Sequence, residues 1–468
     1  MPNQQAKPNF SIIILSAESP PRYTSGVRRR VVCASAILVL IVVGGLCALV
    51  IKTDTGTYGG KPLAFWLAEV VSQDPDRKEG AANALRAMGP RIIPKLLRDL
   101  DPHESILRRW RRWLAQNQTF VKLQVRSMDE QLRQAAWAFD ALGTNAAPAI
   151  PELVKLLDGA PGYAPGALVG LREPAVPAIQ HAFSHTNRYV RSNLAGSLAN
   201  ALEAGRISRD AMLPLVPVLL RNLADTNASV RWYTAIALGA VHLEPALCVP
   251  ELVKGLNDPD AEVQTRCAQA LCRFGDDAAQ AVPAILQLSE KASADHRQTL
   301  CNSIGNLRSA PNLVVPFLVR AVVDSDAMVR MFAASSLGRL SQLPEVCIPS
   351  LTNAVRDMNN FVRMNAVQAI GNLVENSELT EPAVVAAFAG RRLQLSAICI
   401  PALTDALRDS DEHVRLSAAT AIGKFQASGS NAIPALLEAT LDPSAGVRMN
   451  TTNALMRISP AALRRPGP

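Results

Sequence analysis

A short pattern of apolar and polar residues returns along the C-terminal part of the chain. Each copy centres on one residue, usually the valine of a Val-Arg pair, with further core-type residues four and eight positions later. Residues spaced in this way share one face of an α-helix, so each copy predicts a helix with a single buried stripe. Five of the seven steps between copies are 33 residues long, which indicates stacked supersecondary units. The central residues are Val190, Val230, Val263, His296, Val329, Val362, Val414 and Val447.

Flanking residues predict two helices in every unit. A proline stands thirteen residues before each central residue, and we expect it to begin the first helix because proline is tolerated in a first helical turn. Asn, Asp or Ser stands three residues before each central residue, as a cap for the second helix. Glycine nine positions after the central residue, present in five units, predicts that this helix ends after about eleven residues. The prolines are Pro177, Pro217, Pro250, Pro283, Pro316, Pro349, Pro401 and Pro434.

The units also share a charged signature. Asp stands five positions before the central residue in six units and Arg directly after it in seven; the departures are His185, Gln264 and Lys291. Together with the helix-opening prolines, these residues resemble the HEAT repeat family, including its short bacterial form found in lyase-named relatives. The resemblance covers residues 177–458. It implies an α-solenoid in which such Asp and Arg side chains form a ladder between neighbouring units.

The remaining parts of the array are less regular. Residues 62–176 match the helix-pair pattern more weakly and are interpreted as irregular HEAT-like repeats. Residues 102–127 interrupt them as a basic insertion, and a second insertion lies within 373–399. Residues 459–468 form a C-terminal tail.

An uncharged run of 21 residues, 31–51, precedes the array. As a helix it would be about 31 Å long, enough to cross a hydrocarbon core. Residues 1–30 form a basic tail ending in Arg28–Arg30, and residues 52–61 form a short linker. The positive-inside rule places that tail in the cytoplasm and the array outside it. The other interpretation, a cleaved signal peptide, is disfavoured by the long leader and the lack of an Ala-x-Ala site.

The predicted fold is therefore all-α: an α-solenoid of about eleven HEAT-type helix pairs behind one N-terminal transmembrane helix. Composition agrees, since 49% of residues are hydrophobic and only 4% aromatic, as in closely packed helices. The net charge of +8 comes from residues 1–30 and 101–126, so the body of the array is neutral overall. A nucleic-acid-binding face needs a basic surplus, and no nucleic acid partner is expected.

A run of arginine and tryptophan inside the first insertion is one candidate contact site. Four cations beside two indoles suit anionic headgroups or an acidic protein. The alternative is a long helix whose tryptophans pack on the array while its arginines face water. The run comprises Arg108, Arg109, Trp110, Arg111, Arg112 and Trp113.

A second candidate site is a row of residues two positions after the central residue. This position points roughly opposite the buried stripe. The row is either an apolar strip on the concave side that binds a protein partner, or a set of contacts between adjacent units. It comprises Trp232, Met331, Met364, Leu416 and Met449.

Cysteine and histidine give no catalytic, cofactor or metal site. Cys248, Cys347 and Cys399 share one repeat position, which favours core packing over a disulfide, since equivalent residues of different units lie too far apart to bridge. His181 and His185 are four residues apart but lack the glutamate of a zincin motif. Some HEAT-repeat enzymes hold iron with several His-Glu pairs, and this chain has one such dipeptide, at 103–104.

These features predict a non-enzymatic scaffold, anchored by a single pass in the cell or inner membrane, with its array outside the cytoplasm. The repeated surface of a solenoid suits binding to other proteins, and no cofactor is expected. Two alternatives stay open. One is a lipid-binding module of the membrane surface that uses the arginine and tryptophan insertion, and the other is a His-Glu metal-dependent enzyme of HEAT-repeat type.

Overall fold

The computed structural model describes residues 56–102, 127–375 and 382–464, with the backbone alone for 382–392 and Arg464. The chain divides into two compact units, residues 1–65 and 66–468. The membrane helix predicted at 31–51 lies outside the described residues. None of the helices that are described is both long and apolar enough to cross a membrane.

The described part of the first unit contains a short β-hairpin. Strands β1 (Thr57–Tyr58) and β2 (Lys61–Pro62) pair antiparallel, with Thr57 opposite Pro62. Gly59 and Gly60 turn the hairpin with φ of +56° and +73°, a left-handed conformation that glycine adopts without steric cost. The hairpin overlaps the linker predicted at 52–61.

The remaining described elements are α-helices with short 3₁₀ turns. In chain order they alternate as first and second helices of eleven pairs, which agrees with the predicted all-α solenoid. The irregular pairs are α1 Leu63–Glu69 and α2 Pro75–Met88; α3 Ile93–Leu100 and α4 Met128–Leu142; α5 Ile150–Lys155 and α6 Ala164–Gly170. The regular pairs are α7 Val176–Ala182 and α8 Arg188–Glu203; α9 Val216–Asn222 and α10 Ala228–Val241; α11 Pro245–Gly255 and α12 Ala261–Phe274; α13 Val282–Lys291 and α14 Ala294–Ile304; α15 Pro311–Ala321 and α16 Ala327–Leu340; α17 Pro344–Ala354 and α18 Asn360–Glu375; α19 Pro382–Ala406 and α20 Glu412–Lys424; α21 Ile433–Ala439 and α22 Ala445–Ile458.

The proline begins the first helix, as expected, in four of the regular units, but it lies inside the helix in the other four. Where it is right, the proline lies in the first turn, directly after a 3₁₀ segment. In the other four units the helix starts at an earlier proline, five residues upstream in α11, α15 and α17 and nineteen upstream in α19. Three of these internal prolines, Pro250, Pro349 and Pro401, are exposed, so water can bind the backbone carbonyl that has lost its N–H donor.

The predicted caps and core positions agree with the structure. Each capping residue directly precedes its second helix, and six of the eight side chains accept backbone N–H groups; Ser293 and Ser444 do not. The Leu or Ile two residues after each of the eight prolines is fully buried. The stripe on the second helices is buried too, except at His296, whose side chain is 24% exposed.

Glycine does not end the second helices as expected. Seven of the eight regular second helices have 13–16 residues, and only α14 has eleven and ends at its glycine, Gly305. In α10, α16, α18 and α20 the glycine lies inside the helix, against the second helix of the next pair. A Cβ on Gly239 would lie 2.8 Å from Cα of Ala270, and one on Gly338 would lie 2.7 Å from Cα of Ala369. These glycines therefore allow neighbouring helices to approach closely.

Second helices of successive pairs pack directly on one another and form a continuous layer. The core beneath it includes the six described cysteines, all free and buried. The thiol of Cys347 donates to the carbonyl of Gln342, and burial raises its pKa to about 12. Such thiols act as small core residues and are protected from reaction.

Candidate functional site

A ladder of ion pairs joins the regular units. In each rung the arginine after the central residue of one second helix pairs with the aspartate that leads into the next second helix. In the Arg330–Asp357 rung, Nε donates to Oδ2 at 2.7 Å and Nη2 donates to Oδ1 at 2.9 Å, in the two-pronged geometry that suits guanidinium and carboxylate. This is the ladder that the resemblance implies. Its rungs are Arg191–Asp225, Arg231–Asp258, Arg297–Asp324, Arg330–Asp357, Arg363–Asp409 and Arg415–Asp442.

Each rung is also tied to the loops at its two ends. The Nη1 group of Arg330 donates to the carbonyls of Asp324 and Ser325 in its own unit, at 2.9 and 3.1 Å. Oδ1 of Asp357 accepts the N–H of Asn359 at 2.9 Å, which holds the capping residue in place. One guanidinium therefore fixes both its own loop and the loop of the following unit.

The rungs remain charged at neutral pH. Burial opposes ionisation of Asp357, but hydrogen bonds from Arg330 and from the backbone of Asn359 outweigh it and lower the pKa. At Asp442 the hydrogen bonds from Arg415 are the largest cause of a lowered pKa. With Arg330 and Asp357 only 15% and 13% exposed, solvent and salt screen their attraction less than at an open surface.

The ladder has one gap between the first and last of these rungs. The arginine expected on α12 is Gln264, and the aspartate expected to receive it is Lys291, at the end of α13. Gln264 keeps only the contact with its own loop, donating from Nε2 to the carbonyl of Asp258 at 2.6 Å. The two departures seen separately in the sequence are therefore the two ends of one missing rung.

The row two positions after the central residues lies on the second helices, and part of it contacts the next unit. Its four interior members are half-buried, and Met449, on the last described second helix, is 61% exposed. Arg266 of α12 lies over the ring of Trp232 at 5.9 Å from its centroid. Leu416 lies 3.1 Å from the position that a Cβ of Gly446 would take. These two members thus contact the next unit; a role in partner binding stays a prediction.

A row of basic residues near the ends of the second helices was not predicted from the sequence. Its residues stand ten positions after the central residue, and that spacing is the signal that could have revealed them. Arg273 pairs with Glu203 at 2.5 Å, and Lys424 pairs with Glu375 at 2.7 Å. The members are Arg273, Arg339, Lys424 and Arg457.

Beside this row, an open groove of about 610 Å³ lies across the ends of α8, α10 and α12. Its lining includes the Glu203–Arg273 ion pair together with Gly239 and Ala240. A polar groove of this kind can accept hydrogen-bonding groups of a bound chain.

The other sequence candidates are not placed by the structure. The run from Arg108 to Trp113 and the dipeptide at 103–104 lie outside the described residues. Where side chains are described, no three His, Cys, Asp or Glu residues group as a metal site requires.

The pairs, the ladder and the second-helix layer define an α-solenoid of HEAT type. The HEAT repeat family matches residues 216–287, 282–371 and 400–464, so these regions contain HEAT repeats. No curated protein matches the chain.

Solved structures show the same fold. Importin beta crystallised in a polyethylene glycol condition is 13% identical, with a TM-score of 0.56 over 85% of this chain and 60% of that one. A chain from the structure of Kap95p with RanGDP is 15% identical, with a TM-score of 0.51 over 89% of this chain and 61% of that one. This chain thus spans about three-fifths of these two structures, and at such identities the likeness concerns the fold alone.

Proposed function

We propose that this protein is a non-enzymatic scaffold that binds other proteins through its second-helix layer, the surface of α8 to α22 opposite the buried stripe. The observation that carries the proposal is the ladder. Everywhere except between α12 and α14, rungs hold successive second helices from α8 to α22 in a fixed register, so one set of surface positions repeats along the layer. Solenoid surfaces built in this way bind macromolecules. Kap95p, similar in fold, binds the protein RanGDP.

Exposed apolar side chains on this layer support protein binding. Tyr189, Met328 and Phe361 stand one position before the central residues of α8, α16 and α18, and they are 57%, 41% and 54% exposed. On a helical wheel this position lies close to the row that contains Met331 and Met364. Large apolar and aromatic side chains are enriched at the cores of protein interfaces, so these residues are natural contact points.

A membrane anchor completes the proposal. The support is the uncharged run at 31–51 and the arginines before it. A single-pass helix there would hold the array close to a cell or inner membrane, on the side away from the cytoplasm.

Photo-crosslinking tests the binding surface. A photoreactive amino acid replaces Phe361 in the full chain in its host, and in a matched control it replaces Leu313, which is 49% exposed on first helix α15. We expect a discrete protein adduct from position 361, weakened by Met328→Glu, and no such adduct from position 313. Equal labelling at both positions, or none at 361, would remove the second-helix layer as the binding surface.

A further inference from the structure

Among the regular units, the contacts that join successive pairs are weakest at one interface, between the pair α11/α12 and the pair α13/α14. The rung is missing there, because Gln264 and Lys291 stand where the arginine and aspartate of the other rungs stand. The close glycine contact is missing too. Cys272 occupies the α12 position that holds Gly239 in α10 and Gly338 in α16.

Helix α14 itself is poorly anchored at its start. His296 replaces the valine that is fully buried in the seven other regular units, and the first fully buried residue of the helix is Leu300. The side chain of the cap residue Ser293 accepts no hydrogen bond from the first turn. With eleven residues α14 is also the shortest regular second helix.

Near the missing rung, one histidine–glutamate contact stands in place of the two hydrogen bonds of a rung. His296 Nε2 lies 3.2 Å from Oε2 of Glu262 on α12, while Oε1 of the same glutamate accepts from Arg266 on its own helix. On both sides the ladder is complete. Arg231 binds Asp258 before the gap, and Arg297 binds Asp324 after it.

We infer that the α12–α14 interface is a hinge between two stiffer segments of the array, the second helices α8 to α12 and the second helices α14 to α22. In a repeat array each unit contacts only its neighbours, so the interface with the least favourable contacts opens first. A segment on either side moves as a block because its own rungs stay closed. The hinge lets the second-helix layer change its curvature at one defined place. The inference does not rest on the proposed function, since it concerns the array without a partner.

Restoring the rung tests the hinge. In the full chain, hydrogen exchange of α14 amides should be faster than that of the equivalent amides of α16 and α20. The double variant Gln264→Arg/Lys291→Asp should slow exchange in α14 by about tenfold or more. The reason is that the closed interface then gains a two-pronged, charge-assisted pair that the open interface lacks. Neither single variant can form the rung, so each should slow exchange less than the double variant does.

A reverse variant keeps the test decisive if the restored chain folds poorly. Arg330→Gln/Asp357→Lys transfers the missing-rung combination to the α16–α18 interface and should speed exchange at the start of α18 by a similar factor. The hinge is overturned if α14 of the wild-type chain exchanges no faster than α16, or if a correctly folded double variant leaves α14 exchange unchanged.

A distance measurement separates bending from local fraying. Spin labels at Asn200 and Thr420 report across the hinge, and labels at Asn306 and Thr420 report within one segment. We expect a broad distance distribution for the first pair, narrowed by the double variant, and a narrow one for the second. Equal widths for the two pairs in the wild-type chain would show that α14 frays without a hinge.

Discussion

The Arg330–Asp357 rung gives the sharpest test of how the array is held together. Asp357→Ala leaves Nε and Nη2 of Arg330 without their acceptors and removes the acceptor of the Asn359 N–H. Arg330→Ala removes the same pair and also the two bonds to its own loop carbonyls. Both changes should therefore destabilise the array, and the two effects should not be independent.

The exposure of the pair sets the magnitude. Exposed ion pairs contribute about 0–1 kcal/mol, and breaking a fully buried pair costs about 3–5 kcal/mol. At 15% and 13% exposure the rung lies between these limits and nearer the buried one. We expect each single variant to lower the free energy of unfolding by about 2–3 kcal/mol, and the double variant to cost about 1–2 kcal/mol less than their sum.

Arg448 supplies a control within the same chain. Its Nη1 group donates to the carbonyls of Asp442 and Pro443 at 2.7 and 2.9 Å, as Arg330 does in its own unit. Within the described ranges no aspartate completes a rung with it. Arg448→Ala therefore measures the loop contacts and the side-chain stem without the rung, and we expect a loss of about 1 kcal/mol or less.

Urea unfolding of a chain shortened to residues 52–468, followed by circular dichroism, gives the four free energies of the cycle. Because a repeat array can unfold in more than one step, exchange of α16 and α18 amides is measured in parallel. Strict additivity of Arg330→Ala and Asp357→Ala, or a cost of Arg330→Ala no larger than that of Arg448→Ala, would refute the ladder as a source of stability.

Three further predictions can be tested, two of them based on the structure and the third on the sequence of residues 1–51. The lowered pKa of rung aspartates such as Asp357 means that their stabilisation is complete above the unfolded value of about 4 and is lost as pH falls through the folded value; Asp357→Asn should flatten the acid limb of a stability–pH curve, and an unchanged limb would contradict this. Gly338→Ala should lower the free energy of unfolding by about 1–3 kcal/mol because the new Cβ would meet the backbone of α18. In the control Gly80→Ala the new Cβ has nothing within 4 Å, so this variant should raise it by about 0.5–1 kcal/mol. Thermal unfolding measures both, and equal effects would contradict the role of Gly338 in close helix packing. Alkaline phosphatase fused after Pro468 should be active in a bacterial host and a cytosolic fluorescent reporter dark, and the opposite result would overturn the proposed orientation.

Local features of the chain were predictable from sequence. The caps before the second helices, the buried Leu or Ile of the first helices and the buried stripe all follow from helical periodicity and from the backbone chemistry of a few adjacent residues. Pairing of helices follows as well, because helices this short must bury their stripes against neighbours. For these reasons the helix-pair array could be predicted without coordinates.

The detailed contacts between units, in contrast, could be seen only in the tertiary structure. The local sequence around Gly338 predicts a helix end. Only the position of Ala369 on the neighbouring helix shows that this glycine allows the two helices to pack closely. The resemblance implied a ladder between neighbouring units, but its partners lie 27 to 46 residues apart, so the two-pronged geometry of each rung required the register of the stacked units. The same register shows that Gln264 and Lys291 occupy the two ends of one missing rung. Periodicity specifies which face of a helix is buried, whereas the distance and register between two helices are set by the side chains of both.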